Sequence, residues 1–141
     1  MMLSPNFSLT EFTDSQTAAR MGIDNDPPVE LVPTLKATAR CMEDVRDLLG
    51  GKPVLISSAY RSPELNAAIK GSKNSQHMTG EAVDFICPKF GTPEQIAQAI
   101  KDSPLLFDQC ILEFYRWVHI SFSARNRRQT LIIDRNGTRS F

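Results

Sequence analysis

The chain contains only two histidines, and the first stands in a stretch whose residue types could hold a metal ion. His77 lies in SQHMTGEAVD, seven residues before Asp84, with Gly80 between them. Gly80 allows a sharp turn after His77, and Asp84 then falls on a strand whose neighbouring side chains point the other way into the core. Burying a carboxylate without a partner costs free energy, so we expect Asp84 to have a partner such as a cation.

The second histidine lies in DQCILEFYRWVHISFS, where two runs of alternating apolar residues predict a β-hairpin. A register in which facing residue numbers sum to 232 places Leu112 opposite Ile120 on an apolar face. The same register places Glu113 directly opposite His119 on the polar face, with their Cβ atoms about 5 Å apart. A slip of one residue would pair core positions with polar ones. The hairpin therefore predicts a carboxylate beside the second histidine.

Two imidazoles and one carboxylate form a common catalytic zinc set, in which the fourth position is left to water. His77, Asp84 and His119 are the candidate ligands. The alternative is that each histidine is an ordinary core or surface residue, which is the more frequent role of a single histidine on a strand. Residue types and spacing alone leave both interpretations open.

The elements that must position these residues are helices in the first half of the chain and mainly strands in the second. Helical patterns or caps predict helices over residues 8–22 and 29–49, a helix after Ser62 and a helix after Thr92. Strands are predicted at 53–57, at 82–86, in the hairpin above, and in a last hairpin at Asn136-Gly137. This order indicates an α+β fold, with helices packed on one small, mainly antiparallel sheet.

Composition narrows the class of protein. Sixteen basic and sixteen acidic residues cancel, so no long-range field favours nucleic acid or an anionic membrane. The length of 141 residues predicts one domain over 1–141, and we expect a monomer without membrane insertion. Three widely spaced cysteines predict neither a disulfide framework nor a thiolate zinc site. The first residues lack the features of a secretory signal, which predicts synthesis in a cytoplasm.

The motif S-x-H-x-x-G-x-A-x-D, complete from Ser75 to Asp84, together with Trp117-x-His119, resembles the zinc D-alanyl-D-alanine carboxypeptidase family. That family shares its fold with the signalling domain of hedgehog proteins and includes phage endolysins. The resemblance spans roughly residues 53 to 123. It implies a hedgehog/DD-peptidase fold, a bound Zn²⁺, and His77, Asp84 and His119 as the zinc ligands.

The resemblance also implies roles for residues around the metal. Arg61, in SAYRSPELN, matches the family arginine near the substrate carbonyl or carboxylate, and Ser75, Gln76 and Trp117 would contact substrate. Many members place the catalytic acid three residues before the last histidine, where this chain has Arg116. Glu113 lies six residues before it, as in hedgehog proteins, and is the expected general base; Glu81 is the rival.

The function implied is a zinc peptidase acting on peptidoglycan stem peptides, either a D-Ala-D-Ala carboxypeptidase or an endolysin-type endopeptidase. The alternative is a non-catalytic zinc module that binds a wall peptide or a partner protein. The enzyme would act at the cell wall or in the periplasm after phage-assisted release. Five arginines between residues 125 and 139 either bind anionic wall polymer or form the solvated face of a hairpin.

Overall fold

The computed structural model describes residues 1–141 and confirms an α+β fold. The α-helices are α1 (Leu9–Thr13), α2 (Gln16–Met21), α3 (Val32–Leu48), α4 (Pro63–Ala68) and α5 (Pro93–Lys101), and a 3-10 turn at Val29–Leu31 leads into α3. The strands are β1 (Met2–Ser4), β2 (Phe7–Ser8), β3 (Leu55–Ser58), β4 (Ala82–Ile86), β5 (Gln109–Glu113), β6 (Trp117–Ser121), β7 (Gln129–Asp134) and β8 (Gly137–Ser140).

The main sheet differs from the small, mainly antiparallel sheet expected from the sequence. It has six strands in the order β3-β4-β6-β5-β7-β8 and is mixed, because β7 pairs with β5 in parallel. After the β5–β6 hairpin, the chain returns along the free edge of β5 and therefore runs in the same direction as β5. The strands β4, β6 and β5 lie at the centre of the sheet.

Polar caps set most of the helix starts as predicted. The side chains of Ser62 and Thr92 accept hydrogen bonds from the backbone amides of Leu65 and Gln95, at 3.1 and 3.2 Å. The single helix predicted over 8–22 is instead two helices. Ser15 has an extended backbone and caps the start of α2, so the helical pattern is interrupted between α1 and α2.

One face of the sheet packs on α3 and α5. A cluster of 22 buried residues contains the apolar face of α3, residues of α5, and side chains from β4, β5 and β6. Along β4 and β6, Val83 faces Ile120 on this side of the sheet, and Asp84 faces His119 on the other. The core thus supports the strands from behind and leaves the polar residues on the opposite face. None of the helices combines the length and hydrophobicity needed to span a membrane.

The β5–β6 hairpin is present, but its predicted register is wrong by two residues. Glu113 faces Trp117, and His119 faces Ile111, so facing residue numbers sum to 230. A shift of two leaves every side chain on its predicted face. Glu113 is therefore a diagonal neighbour of His119 and not its direct partner. The last hairpin is also present, with Asp134 facing Gly137.

Candidate metal centre

The fold brings the three candidate ligands together on the open face of the sheet. His77, Asp84 and His119 are buried, and their ligand atoms all lie within 4.8 Å of one another. His77 Nε2 lies 3.2 Å from Asp84 Oδ1, and His119 Nδ1 lies 2.9 Å from the same oxygen. Two ring nitrogens and a carboxylate oxygen thus converge on one point.

Two elements and one turn produce this convergence. Asp84 and His119 are direct neighbours across the β4–β6 pair, so the sheet register sets their separation. His77 precedes β4, and the chain reverses at Gly80, whose φ of 77° favours glycine. The buried Thr38 hydroxyl of α3 donates to the Gly80 carbonyl at 2.6 Å and fixes this turn to the core.

The contacts of His77 test whether the site fits a metal. His77 Nδ1 lies 2.6 Å from the Ala59 carbonyl oxygen, which only accepts, so Nδ1 carries the proton. The Nε2 atom then presents its lone pair toward Asp84, yet it is buried and has no hydrogen-bond donor. Metal-bound histidines are oriented in this way by a hydrogen bond from their other nitrogen. The donor set and the unpaired nitrogen fit a divalent cation.

Asp84 is held in its ionised form. Burial alone would raise its pKa, but the two neighbouring histidines, first His119 and then His77, outweigh burial and keep the pKa well below the ordinary value. A carboxylate that stays ionised while buried is suited to bind a cation.

Glu113 lies beside this cluster, with its Oε1 3.9 Å from His119 Nδ1. Burial and the charge of Asp84 raise its pKa, although His119 and Arg61 act in the opposite direction. A raised pKa makes the carboxylate a stronger base. The rival, Glu81, accepts a hydrogen bond from the Thr79 hydroxyl at 2.6 Å and borders a different groove. The structure thus places Glu113, and not Glu81, next to the histidines.

Arg61 also reaches the site. Its Nη1 donates to Asn66 Oδ1 at 3.0 Å, which orients the guanidinium, and its buried Nε has no partner. Burial lowers its pKa, whereas Asp84 and Glu113 raise it. The guanidinium therefore has donor capacity left for a ligand.

The cluster opens into a cleft of about 490 Å³, lined almost entirely by polar side chains. Ser75 and Gln76 line the cleft, as do Arg61 and Glu113. Trp117 does not. It lies on the same face of β6 as His119 but packs against Phe114 at 6.0 Å between ring centroids and borders a separate groove. The predicted contact of Trp117 with substrate has no support in this geometry.

Sequence reasoning missed one charged group behind this cleft. Asp108, immediately before β5, is fully buried and receives two hydrogen bonds from the Arg127 guanidinium and one from Gln76. An aspartate before a strand is a common loop residue, so the pattern carries no signal for this role. Asp108 and Arg127 are 19 residues apart in sequence and meet only in the folded chain.

A buried histidine–aspartate–histidine set beside a partly buried glutamate is the donor arrangement of a metal-dependent hydrolase. The family model described as Peptidase M15 matches residues 5–121. The chain belongs to this family of metallopeptidases, which confirms the resemblance seen in the sequence and implies a peptide substrate. No curated protein matches the chain.

Proposed function

We propose that this chain, acting as one domain over residues 1–141 and as a monomer, is a zinc peptidase that hydrolyses peptide bonds in peptidoglycan stem peptides. The observation that carries the proposal is the unpaired lone pair of His77 Nε2, aimed at Asp84 and His119 next to Glu113. The family match and the mixed sheet with its helices on one face are consistent with a hedgehog/DD-peptidase fold.

His77, Asp84 and His119 would hold the zinc ion. When bound, zinc acts as a Lewis acid and lowers the pKa of water to about 7. Glu113 accepts the proton of the attacking water, for which its raised pKa is suited. It then returns the proton to the leaving amine.

Arg61 would stabilise the negative charge that develops on the carbonyl oxygen, or would bind a substrate carboxylate. Its unpartnered Nε is one of the few buried polar atoms of the chain without a hydrogen bond. A preorganised donor of this kind acts strongly in a site from which water is excluded. Ser75 and Gln76 line the same cleft and would contact the peptide.

Such an enzyme would act at the bacterial cell wall or in the periplasm, after phage-assisted release. The experiment is digestion of purified peptidoglycan, with mass spectrometry of the released ends to identify the bond cut and to separate carboxypeptidase from endopeptidase activity. Elemental analysis of the same preparation should give one zinc per chain. Stoichiometric zinc without any digestion would favour the alternative, a non-catalytic zinc module.

The matched pair Glu113→Gln and Glu81→Gln tests the general base. Glutamine keeps the size and hydrogen bonding of Glu113 but accepts no proton, so turnover should fall by roughly 10²- to 10⁴-fold with zinc retained. Glu81→Gln should digest normally, because Glu81 lies outside the cleft. Loss of activity in Glu81→Gln alone would refute the assignment of Glu113.

A further inference from the structure

The end of the cleft near the start of β5 is built around the buried carboxylate of Asp108. Arg127 Nε and Nη2 donate to its two oxygens at 2.7 and 2.9 Å, and the Arg127 backbone amide lies 3.3 Å from Oδ1. Gln76 Nε2 donates at 2.9 Å, and Arg125 Nη2 lies 3.4 Å away. Asp108 therefore holds Gln76 and Arg127, which come from two separate loops, in fixed positions along the wall at this end of the cleft, and Arg125 lies beside them.

This wall carries an excess of positive charge. Arg125 and Arg127 are two cations against the single carboxylate of Asp108, and both line the cleft. The Arg125 side chain is 62% exposed and has only the one long contact, so most of its donors are free. The only carboxylate among the residues that line the cleft is Glu113.

Strand β5 sets the distance from this wall to the candidate metal centre. Ile111 of β5 faces His119, and Glu113 ends the strand. Asp108 precedes Ile111 by three residues, which corresponds to about 10 Å at the rise of roughly 3.3 Å per residue in a strand. An extended peptide covers that length in about three residues. The general base and the arginines thus mark the two ends of β5, with the metal ligands between them.

We propose that Arg125, together with Arg127 positioned by Asp108, forms a subsite for a substrate carboxylate that lies two or three residues from the cleaved bond. This inference rests on the proposed peptidase function and specifies its substrate as an acidic peptide. Arginine is suited to this role because its planar fork of donors matches a carboxylate. Arg61, beside the metal ligands, remains available to the reacting group.

The test uses two synthetic stem peptides that differ only in carrying a carboxylate or a carboxamide at that distance from the bond cut. The 141-residue chain with zinc should cleave the acid with kcat/KM roughly ten- to a hundredfold higher, as expected for hydrogen bonds to a charged group. The difference should lie mainly in KM, because a remote carboxylate is bound in the ground state and the transition state alike.

Arg125→Gln should reduce this preference to nearly one, and Asp108→Asn should reduce it with zinc content retained. The matched control is Arg135→Gln, an exposed arginine in the β7–β8 turn outside the cleft, which should keep the preference. Equal cleavage of acid and amide by the unmodified protein would overturn the subsite. So would loss of the preference in Arg135→Gln, which would indicate a general charge effect such as binding of anionic wall polymer.

Failure of the proposed function is distinguishable from failure of the subsite. If neither peptide is cleaved, the peptidase proposal fails, and the subsite is judged by equilibrium binding of the same two peptides. Tighter binding of the acid, lost in Arg125→Gln, would support the subsite independently of catalysis. Equal dissociation constants would overturn it.

Discussion

Asp108→Asn isolates the stabilising effect of the buried carboxylate. Asparagine has nearly the same shape, but it loses the charge and turns an NH2 group toward the donors of Arg127 and Gln76. Breaking a buried ion pair costs about 3–5 kcal/mol, and the lower end applies because Arg127 is partly exposed and can be rehydrated. With an unfolding entropy of about 0.3 kcal/mol/K for a chain of this length, a loss of about 3 kcal/mol lowers Tm by about 10 °C.

The loss should depend on pH with a defined sign. The hydrogen bonds from Arg127 outweigh burial and, with Gln76, hold the pKa of Asp108 well below its ordinary value in the folded protein. A carboxylate with a lowered folded pKa stabilises fully above its unfolded pKa of about 3.9, and this stabilisation is lost as pH falls below that value. At pH 3 the unfolded chain gains about 1.3 kcal/mol from protonation of this group.

Thermal unfolding of the unmodified protein and of Asp108→Asn at pH 6 and pH 3 measures both effects. The gap in Tm should be about 10 °C at pH 6 and about 6 °C at pH 3. Acid effects on other groups act on both proteins and cancel in the difference. A gap below 2 °C, or one that is the same at both pH values, would show that Asp108 is not the ionised anchor described above.

Three further changes test other parts of the structure. Arg61→Ala should lower turnover while zinc content stays at one per chain, because in the proposed mechanism Arg61 contacts substrate and not the metal; equal loss of zinc in elemental analysis would show a structural role. Gly80→Ala should lower Tm by about 5 °C, because a backbone φ of 77° costs an alanine about 1–2 kcal/mol. The added Cβ would also lie 3.1 Å from Leu35 Cδ2. An unchanged melting curve would contradict this strain. Burial raises the pKa of the Cys110 thiol to about 12. A thiol reagent at pH 8 should therefore label at most the half-buried Cys41 in the folded protein, and should label Cys110 only after unfolding. Labelling of Cys110 in the folded protein at the rate of the unfolded protein would refute its burial.

The period of two along the strands was enough to predict which side chains share a face, but not which residues face each other. The registers that sum to 232 and to 230 place Glu113 and His119 on the same face and close a loop of the same length. Turn chemistry would normally decide between them. Here the turn is made by Phe114 and Tyr115, both at positive φ, and neither is a residue that signals such a turn.

The convergence of the three candidate metal ligands was predictable because a local motif and a strand pattern led to them separately. The group of Asp108, Arg125 and Arg127 at the end of the cleft was not predictable, because it depends on pairings between distant segments of the chain. Asp108, just before β5, contacts Arg127 in the β6–β7 connection. The alternation of polar and apolar residues within a strand does not indicate that β7 pairs with β5 in parallel. Ala59, whose carbonyl orients His77, contributes only a backbone atom and has no side-chain signal at all.

The parallel pairing of β7 with β5 also bears on the order in which the chain is made. All three candidate ligands precede residue 122 in the chain, yet one edge of β5 has no partner until residues 129–134 are made. A parallel partner cannot be joined by a tight hairpin, so this edge closes late. Until then the nascent protein presents an open strand edge that can pair with another copy. Slow synthesis or crowding of nascent chains would therefore favour aggregation through β5, and a chaperone that shields this edge would raise the yield of folded protein.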